Sequence, residues 1–367
     1  MSDDIPAPDR VEGAPHPRET ERLFGQDAAE RQFLDAYGSG RLHHAWLLQG
    51  PRGIGKATLA WRIARFLLSE EPGGGLFGPP ETLDVSPDHP VARRIAAGSE
   101  PGLATVTRSV SDTTNRLRNE IVVDDIRRLG RFFGLTAPDG GRRVVIVDAA
   151  DEMNTSAANA LLKMLEEPPA RSTLLLIAHQ PSRLLPTIRS RCRILRLSPL
   201  GEDDMRAALT QAGTETEANP AHLAALAGGS VGAALRLASL DGLSLYSDLV
   251  AVIGSLPRLD RTRALALSDR VAQRGAADRF ELLMTLIDTA LARLARTGAT
   301  GTAQAPEAAS GEAEILARLS PSPDAGRAWA EAAAEITPRL RRAAAVNLDP
   351  ASLVLDTVIR LQRTAAG

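Results

Sequence analysis

The stretch that decides the fold is AWLLQGPRGIGKATLAWRIARFLL, which spans residues 45–68. Its first residues form an apolar run, a glycine-rich segment follows, and the apolar spacing after Lys56 is helical. Gly-x-x-x-x-Gly-Lys between a strand and a helix is typical of a phosphate-binding loop, because glycines let backbone N–H groups surround phosphate oxygens and the lysine adds a positive charge. We therefore predict that Gly50, Gly53, Gly55 and Lys56 form such a loop. A glycine-rich turn without a ligand is the simpler alternative.

The position after the lysine departs from this motif. A Ser or Thr hydroxyl there holds Mg²⁺, and this chain has Ala57 instead. Thr58 does not simply replace the lost ligand, because a step of one residue turns a helix by about 100°; it remains a candidate nucleotide contact. The loop can hold ATP or ADP through Lys56 and the main chain, but its sequence argues against metal-dependent hydrolysis. We expect no required cofactor.

A second departure follows the apolar run 144–147. In a nucleotide hydrolase such a strand ends in an Asp that organises the metal, followed by a Glu that polarises the attacking water. Asp148 is present and is a further candidate nucleotide-binding residue, but Ala149 stands where the Glu is needed. We interpret the nearby Asp151 and Glu152 as acids that favour a helix N-terminus. Two missing groups thus affect the same chemical step.

The rest of the chain predicts an α/β domain followed by helices. Apolar runs over 45–49, 144–147, 174–178 and 194–197 alternate with helical patterns, which indicates a parallel sheet covered on both faces. Short Ala/Leu helices follow, and beyond about residue 241 the longer helical patterns predict a bundle. Within that bundle, the small and polar residues of 297–311 predict an exposed flexible loop.

Composition excludes several classes of protein. The 367 residues carry 43 Lys plus Arg against 45 Asp plus Glu, so the net charge of −2 gives no global attraction to nucleic acid. Cys192 is the single cysteine, which excludes an internal disulfide and a thiolate zinc cluster within this sequence. The acidic, Pro-rich start lacks the pattern of a secretory signal, and no apolar run approaches the ~20 residues that span a bilayer. We expect a cytoplasmic protein with no membrane partner.

Three segments carry a resemblance to a known family. They are RLHHAWLLQGPRGIGK over 41–56, NALLKMLEEPP over 159–169 and LPTIRSRC over 185–192. In order and spacing they resemble the delta prime family of bacterial DNA polymerase III clamp-loader subunits, which have an AAA+ fold. The resemblance covers about the first 200 residues, and the helical remainder agrees only in general character.

The resemblance implies a domain plan and a set of partners. We expect a disordered tail over 1–20, an AAA+ P-loop core over 21–198, a small helical lid over 199–240 and an all-α collar for oligomerisation over 241–367. The implied partners are ATPase motor subunits and a clamp-opening subunit in a hetero-oligomeric ring, with primer-template DNA reached indirectly. Many relatives carry a four-cysteine zinc module; this chain lacks those cysteines, and we expect no metal.

The resemblance also assigns a role to Arg191. In the family, the Ser-Arg-Cys motif places an arginine at the subunit boundary, pointing at ATP held by the neighbour, and a guanidinium supplied in trans stabilises transition-state charge. From spacing alone, Arg189, Arg191 and Arg193 would instead form the solvated face of an edge strand. The motif favours Arg191 as the trans arginine finger.

Two further positions bear on catalysis. ATP-hydrolysing relatives place an arginine of a Gly-Ser-x-Arg motif at the γ-phosphate, and here Gly232 stands in its place. Relatives have a polar phosphate-sensing residue where this chain has His179, for which a structural role is the more ordinary interpretation. By analogy with the family, Gly25 and Gln26 are expected near an adenine ring.

Two hypotheses about function follow. In the first, the chain is a largely hydrolysis-incompetent clamp-loader subunit that supplies Arg191 for loading a sliding clamp on primed DNA. In the second, it is an active AAA+ ATPase that remodels DNA or protein, with Thr58 and Glu152 replacing the lost groups. Ala57, Ala149 and Gly232 all favour the first.

Overall fold

The computed structural model describes residues 9–10, 14–69, 80–111, 113–134, 141–213, 220–273 and 275–367. The chain forms two compact units. The first runs to Gly213 and also contains Gly229–Gly232, and the second contains 214–228 and Ala233–Gly367. The segment 199–240, which was assigned to the lid, is therefore divided between the two units.

A parallel sheet of five strands organises the first unit. The strands are β1 (Ala45–Gln49), β2 (Leu103–Val106), β3 (Arg143–Asp148), β4 (Ser172–Ala178) and β5 (Arg193–Arg196). Their order across the sheet is β2-β3-β4-β1-β5, and every neighbouring pair is parallel. The predicted α/β fold is confirmed, as are the four strands that were expected from apolar runs.

Seven helices belong to the described part of this unit. They are α1 (Asp27–Gly38), α2 (Lys56–Ser69), α3 (Pro90–Ala96), α4 (Val123–Gly134), α5 (Thr155–Glu166), α6 (Pro186–Ser190) and α7 (Glu202–Gln211). Short 3-10 helices cover Ala150–Glu152 and Pro181–Arg183. The sequence analysis predicted neither β2 nor α3.

Alternating strand residues enter two separate apolar cores. Trp46 and Leu48 of β1 pack in one cluster with Ile146 and Leu175, and α1 and α2 contribute to the same face. Leu47 belongs to the other cluster, to which α4 and α5 contribute. Because side chains alternate along a strand, this division means that both faces of the sheet are covered, as the sequence predicts.

The N-terminal residues nearest the core are packed on α2. His16 is 8% exposed and lies edge-on to Trp61, with 5.7 Å between ring centroids. Arg65 donates a hydrogen bond to the Thr20 carbonyl oxygen at 2.7 Å. The expected tail spans 1–20, and within it residues 1–8 and 11–13 lie outside the described residues, whereas 14–20 contact α2. Composition misses this packing because it depends on contacts with a helix about 45 residues away.

The second unit is helical in its described part, as predicted. Its helices are α8 (Pro220–Ala227), α9 (Val231–Ser239), α10 (Gly242–Gly254), α11 (Arg261–Ala272), α12 (Ala277–Thr300), α13 (Glu312–Leu319), α14 (Pro323–Ala345) and α15 (Pro350–Ala366), with α9 beginning inside the first unit. Helices α12 and α14 approach closely at two glycines: a Cβ on Gly298 would lie 2.6 Å from the Gly326 Cα.

The prediction of an exposed flexible loop over 297–311 is wrong for 297–300 and for Ala308 and Ala309, whereas 301–306 do form an exposed or half-buried loop. Helix α12 continues to Thr300, and Thr297, Ala308 and Ala309 are buried. The rest of the segment is held by a buried ion pair between residues that precede and follow it, Arg293 and Glu312. A small-residue composition resembles that of a linker, but it carries no information about this pairing.

None of the described helices is, by itself, both long and apolar enough to cross a membrane. Two helices that are bent by 117° relative to each other, Ala221–Ala227 and Val231–Ser239, are together long and apolar enough to span a bilayer, by length and composition only.

Candidate functional site

The glycine-rich loop joins β1 to α2, as the sequence predicts. Gly50, Gly53 and Gly55 have φ values of 150°, 78° and 100°, which disfavour any residue with a Cβ. The space is restricted as well, because a Cβ on Gly50 would lie 2.6 Å from the Leu197 carbonyl oxygen. These glycines are therefore required by the backbone path and by close packing.

Lys56 begins α2 and points into its own loop. It is 3% exposed, and its Nζ donates hydrogen bonds to the carbonyl oxygens of Gly50, at 2.7 Å, and of Pro51. Burial lowers the pKa of Lys56 to about 8, although Asp148 and Asp151 act in the opposite direction. In this arrangement the ammonium group satisfies loop carbonyls.

The segment Gly229–Gly232 lies directly on the loop. The Ser230 hydroxyl donates to the Arg52 carbonyl oxygen at 2.8 Å, and the Gly232 N–H donates to the Gly53 carbonyl oxygen at 3.0 Å. A Cβ on Gly53 would collide with the Ser230 hydroxyl. The position at which relatives supply an arginine is thus close to the loop, but here it contributes only a backbone N–H group. Sequence reasoning assigned no contact to Ser230.

Asp148 and Ala149 end β3 as predicted. Burial raises the pKa of the Asp148 carboxyl to about 7; nearby carboxylates of Asp9 and Glu152 add to the rise, and Lys56 opposes it. Ala149 is 2% exposed and brings no functional group to the strand end. On the other side of the loop, Ala57 and Thr58 lie half-buried in the first turn of α2.

Asp151 and Glu152 are held by other groups. Buried Asp151 accepts hydrogen bonds from the backbone N–H groups of His179, at 3.0 Å, and Gln180, at 2.7 Å. Glu152 forms ion pairs with Arg52 and Arg108, each with an N···O distance of 2.9 Å. Both carboxylate oxygens are engaged by guanidinium groups and are not free to orient a water molecule, which disfavours Glu152 as a replacement for the missing glutamate.

His179 follows β4 as expected and faces a cationic environment. Burial lowers the pKa of its imidazole to about 4, and the charges of Lys56 and Arg52 lower it further. Within the described part of the chain, its Nδ1 has no hydrogen-bond partner. The ring is therefore neutral at pH 7.

Gln26 performs a structural task. Its side-chain amide donates to the carbonyl oxygens of Ile54, at 3.2 Å, and Ser198, at 2.8 Å, and accepts from the Ser198 N–H at 3.1 Å. Both donors of the amide are used in linking the loop to the end of β5. The side chain thereby fixes the position of the loop relative to the residues that follow β5.

Arg191 lies at the surface, at the end of α6. Its side chain is 36% exposed; Nη1 donates to the Thr187 carbonyl oxygen at 3.1 Å, and Nη2 lies 2.8 Å from a carboxylate oxygen of Glu166. Arg189 belongs to α6 and only Arg193 belongs to β5, so the interpretation of the three arginines as one strand face is wrong. Pro186 starts a helical turn at this point, which separates the first two from the strand.

The neighbouring Cys192 is a packing residue. Burial raises the pKa of its thiol to about 12, and the side chain packs against the apolar core that contains α5. A thiol with such a pKa is a poor nucleophile at neutral pH.

Several arginines that lie close together on α4 and α14 are paired with acids. Arg127 and Arg128 each pair with an aspartate three residues earlier in α4, whereas Arg339 and Arg341 pair with Asp356 and Asp288. This neutralisation reduces their attraction to a phosphate backbone. Among the described residues, no group of three or more His, Cys, Asp or Glu side chains is arranged to hold a metal ion.

Comparison with known proteins gives consistent matches. The family model described as "DNA polymerase III, delta subunit" matches residues 25–201. The DNA polymerase III subunit delta' of Pseudomonas aeruginosa is 44% identical over 150 residues, which are 41% of this chain and 41% of that protein. That of Escherichia coli is 34% identical over 267 residues, 71% of this chain and 74% of that protein. The tau subunit of Escherichia coli DNA polymerase III is 30% identical over 283 residues, 74% of this chain and 40% of that protein. The chain belongs to the family of DNA polymerase III delta' subunits.

Proposed function

We propose that this chain is a clamp-loader subunit of a DNA polymerase III that helps to load the sliding clamp on primed DNA, and that it supplies Arg191 to ATP bound by a neighbouring ATPase subunit. Its membership of the delta' family supports the role in replication. The observation that carries the finger assignment is the position of Arg191, whose guanidinium lies at the surface with its side chain 36% exposed.

The chain's own loop supports a non-catalytic role. Ala57 and Ala149 supply neither the metal ligand nor the base, and Gly232 supplies no arginine. Lys56 is engaged by carbonyl oxygens of its own loop. ATP or ADP is therefore not required for this subunit's contribution, and whatever binds here is poorly placed to be hydrolysed.

The alternative, an active AAA+ ATPase that remodels DNA or protein, requires substitutes for the missing groups. Its two candidates are Thr58 and Glu152. The first lies half-buried in α2, and the second is held by Arg52 and Arg108. Among the residues that the structure describes, no contact in the site favours this alternative.

The partners follow from the same proposal. The chain joins other DNA polymerase III subunits in a hetero-oligomeric ring, with ATPase motor subunits and a clamp-opening subunit as its neighbours. The similarity to a tau subunit supports a shared architecture among such subunits. Primer-template DNA is reached through the assembled ring, since the arginine clusters of this chain are mostly neutralised.

Reconstitution with candidate motor and clamp-opening subunits tests the proposal. Native mass spectrometry establishes that the ring forms, and single-turnover hydrolysis is measured in rings in which only the adjacent motor subunit retains a working ATP site. Arg191→Ala is expected to lower the rate at that site by a factor of about 10³ or more. Arg189→Ala, which removes an equally charged side chain from α6, is the control and should leave the rate unchanged.

Two results would contradict the proposal. An unchanged rate with Arg191→Ala removes the finger role. Steady-state ATP turnover by the isolated chain, abolished by Lys56→Ala, would establish the alternative, because that activity would arise in the chain's own loop.

A further inference from the structure

The guanidinium of Arg191 is held from two helices at once. The Thr187 carbonyl oxygen belongs to α6, and the Glu166 carboxylate belongs to the last residue of α5. The sequence analysis assigned nothing to Glu166, which it noted only as part of a family motif. Its contact with the proposed finger is a feature of the fold.

These two contacts leave most of the guanidinium available. Arginine has five N–H donors in a planar fork; one of them donates to the Thr187 carbonyl oxygen, and Nη2 lies 2.8 Å from a Glu166 carboxylate oxygen in an ion pair. Further donors remain, so the guanidinium can meet phosphate oxygens without breaking the hydrogen bond to Thr187. The arginine does not have to be released before it can act.

Restraint of this side chain has a kinetic consequence. A free arginine samples many rotamers, and this freedom is lost when the finger reaches a phosphate. A side chain that is already fixed in a suitable orientation loses less conformational freedom, and this lowers the free-energy barrier of the step that it assists. Glu166 provides this restraint through an ion pair, in which its carboxylate oxygen lies 2.8 Å from Nη2 of Arg191.

Glu166 is itself on a fixed element. Helix α5 begins at an Asn154 cap, whose side chain accepts from the Ala157 N–H at 2.9 Å, and buried Leu161 and Leu165 pack it onto the core. The double proline at 168–169 follows directly. The carboxylate therefore extends from the end of a helix whose position is determined by the core.

We infer that Glu166 is a positioning residue that orients Arg191 toward the neighbouring subunit's phosphate. The inference rests on the proposed function and adds to it a residue that touches neither nucleotide nor metal. Glu167 offers a matched control, since it carries the same charge one position later, is exposed, and makes no ion pair with a residue that the structure describes.

The test uses the reconstituted ring with a single working ATP site next to this chain. Glu166→Ala is expected to lower kcat at that site roughly 10- to 100-fold with KM for ATP unchanged. Glu166→Gln keeps an acceptor oxygen and should recover part of the loss. Glu167→Ala should leave both constants unchanged, and it also measures the general effect of removing one negative charge from this surface. Circular dichroism of each free variant checks folding.

A double variant identifies the pathway of the effect. If Glu166 acts through the finger, Arg191→Ala with Glu166→Ala should be no slower than Arg191→Ala alone. A further loss in the double variant would overturn the inference, as would equal rates for Glu166→Ala and Glu167→Ala, or a faster rate with Glu166→Ala. An inactive Arg191→Ala together with a fully active Glu166→Ala contradicts only this inference, whereas an unchanged Arg191→Ala contradicts the proposed function.

Discussion

The buried ion pair of the second unit offers a test of how this unit is held together. Arg293 is 5% exposed and Glu312 is 1% exposed, and they meet in two N···O contacts of 2.7 and 3.0 Å. The same carboxylate accepts from the Tyr246 hydroxyl at 2.6 Å and the Ala308 N–H at 2.7 Å. Burial and the adjacent carboxylate raise the pKa of Tyr246 well above its usual range, so it stays a donor. We predict that Glu312→Leu strongly destabilises this unit.

The magnitude follows from the charge left behind. Removal of one partner of a buried pair typically costs about 3–5 kcal/mol, because the remaining ion has neither water nor a counter-charge. In a unit of roughly 150 residues, each kcal/mol corresponds to about 2–4 °C, so the melting temperature should fall by about 6–20 °C. The double variant Arg293→Met with Glu312→Leu should lose less stability than Glu312→Leu alone, since no unpaired charge then remains buried.

The assay is guanidinium unfolding of the full chain, with hydrogen exchange of α12 and α13 reporting on the second unit separately. Arg341→Met is the control, because it breaks an ion pair with Asp288 in which the arginine is 61% exposed, and such pairs contribute about 0–1 kcal/mol. A loss with Glu312→Leu no larger than this control would refute the reasoning. So would a double variant less stable than Glu312→Leu.

Two further predictions concern titration and reactivity. The folded-state pKa of Lys56, about 8, lies below its ordinary value of 10.5. Unfolding therefore takes up a proton between these pH values, and the free energy of unfolding rises with pH in this range. Between pH 8 and 9.5 the free energy of unfolding of the wild type should increase by on the order of 2 kcal/mol relative to that of Lys56→Met. Urea unfolding at both pH values measures this difference, and parallel pH profiles would contradict it. The Cys192 thiol, with its pKa raised to about 12, should react with an aromatic disulfide reagent far more slowly in the native protein at pH 8 than after unfolding; equal rates would show that the thiol is accessible and ionised.

The parts of the fold that sequence predicts best have a strong local signal. Strand β1, the loop and α2 are read from one stretch, because a buried run, three glycines and a helical repeat follow each other directly. Strand β2 lacks such a signal: it lies at the sheet edge, has four residues, and only Val106 is fully buried. Its membership of the sheet is decided by pairing with β3, which lies about 40 residues further along the chain.

The candidate site shows the same division. Missing groups at Ala57, Ala149 and Gly232 are read directly from sequence, because a motif specifies each position. The contacts that the remaining groups make cannot be read from the sequence in this way. The ion pair of Glu152 with Arg52 joins residues 100 positions apart, and that of Glu166 with Arg191 joins residues 25 positions apart. Both pairs depend on where the sheet places β3, α5 and α6.

The contacts around the loop give its glycines and its lysine a structural role that does not depend on catalysis. Gly53 offers its carbonyl oxygen to the Gly232 N–H, the Arg52 carbonyl oxygen accepts from Ser230, and Lys56 serves the carbonyl of Gly50. Each of these bonds needs the tight backbone path that the three glycines allow, and a Cβ on Gly53 would collide with Ser230. Packing alone therefore constrains Gly50, Gly53, Gly55 and Lys56. Ala57 and Ala149 take no part in these hydrogen bonds, and they are the positions where hydrolysis would have required Thr or Glu. A phosphate-loop motif is thus evidence for this backbone geometry, and evidence for hydrolysis only where the metal ligand and the base accompany it.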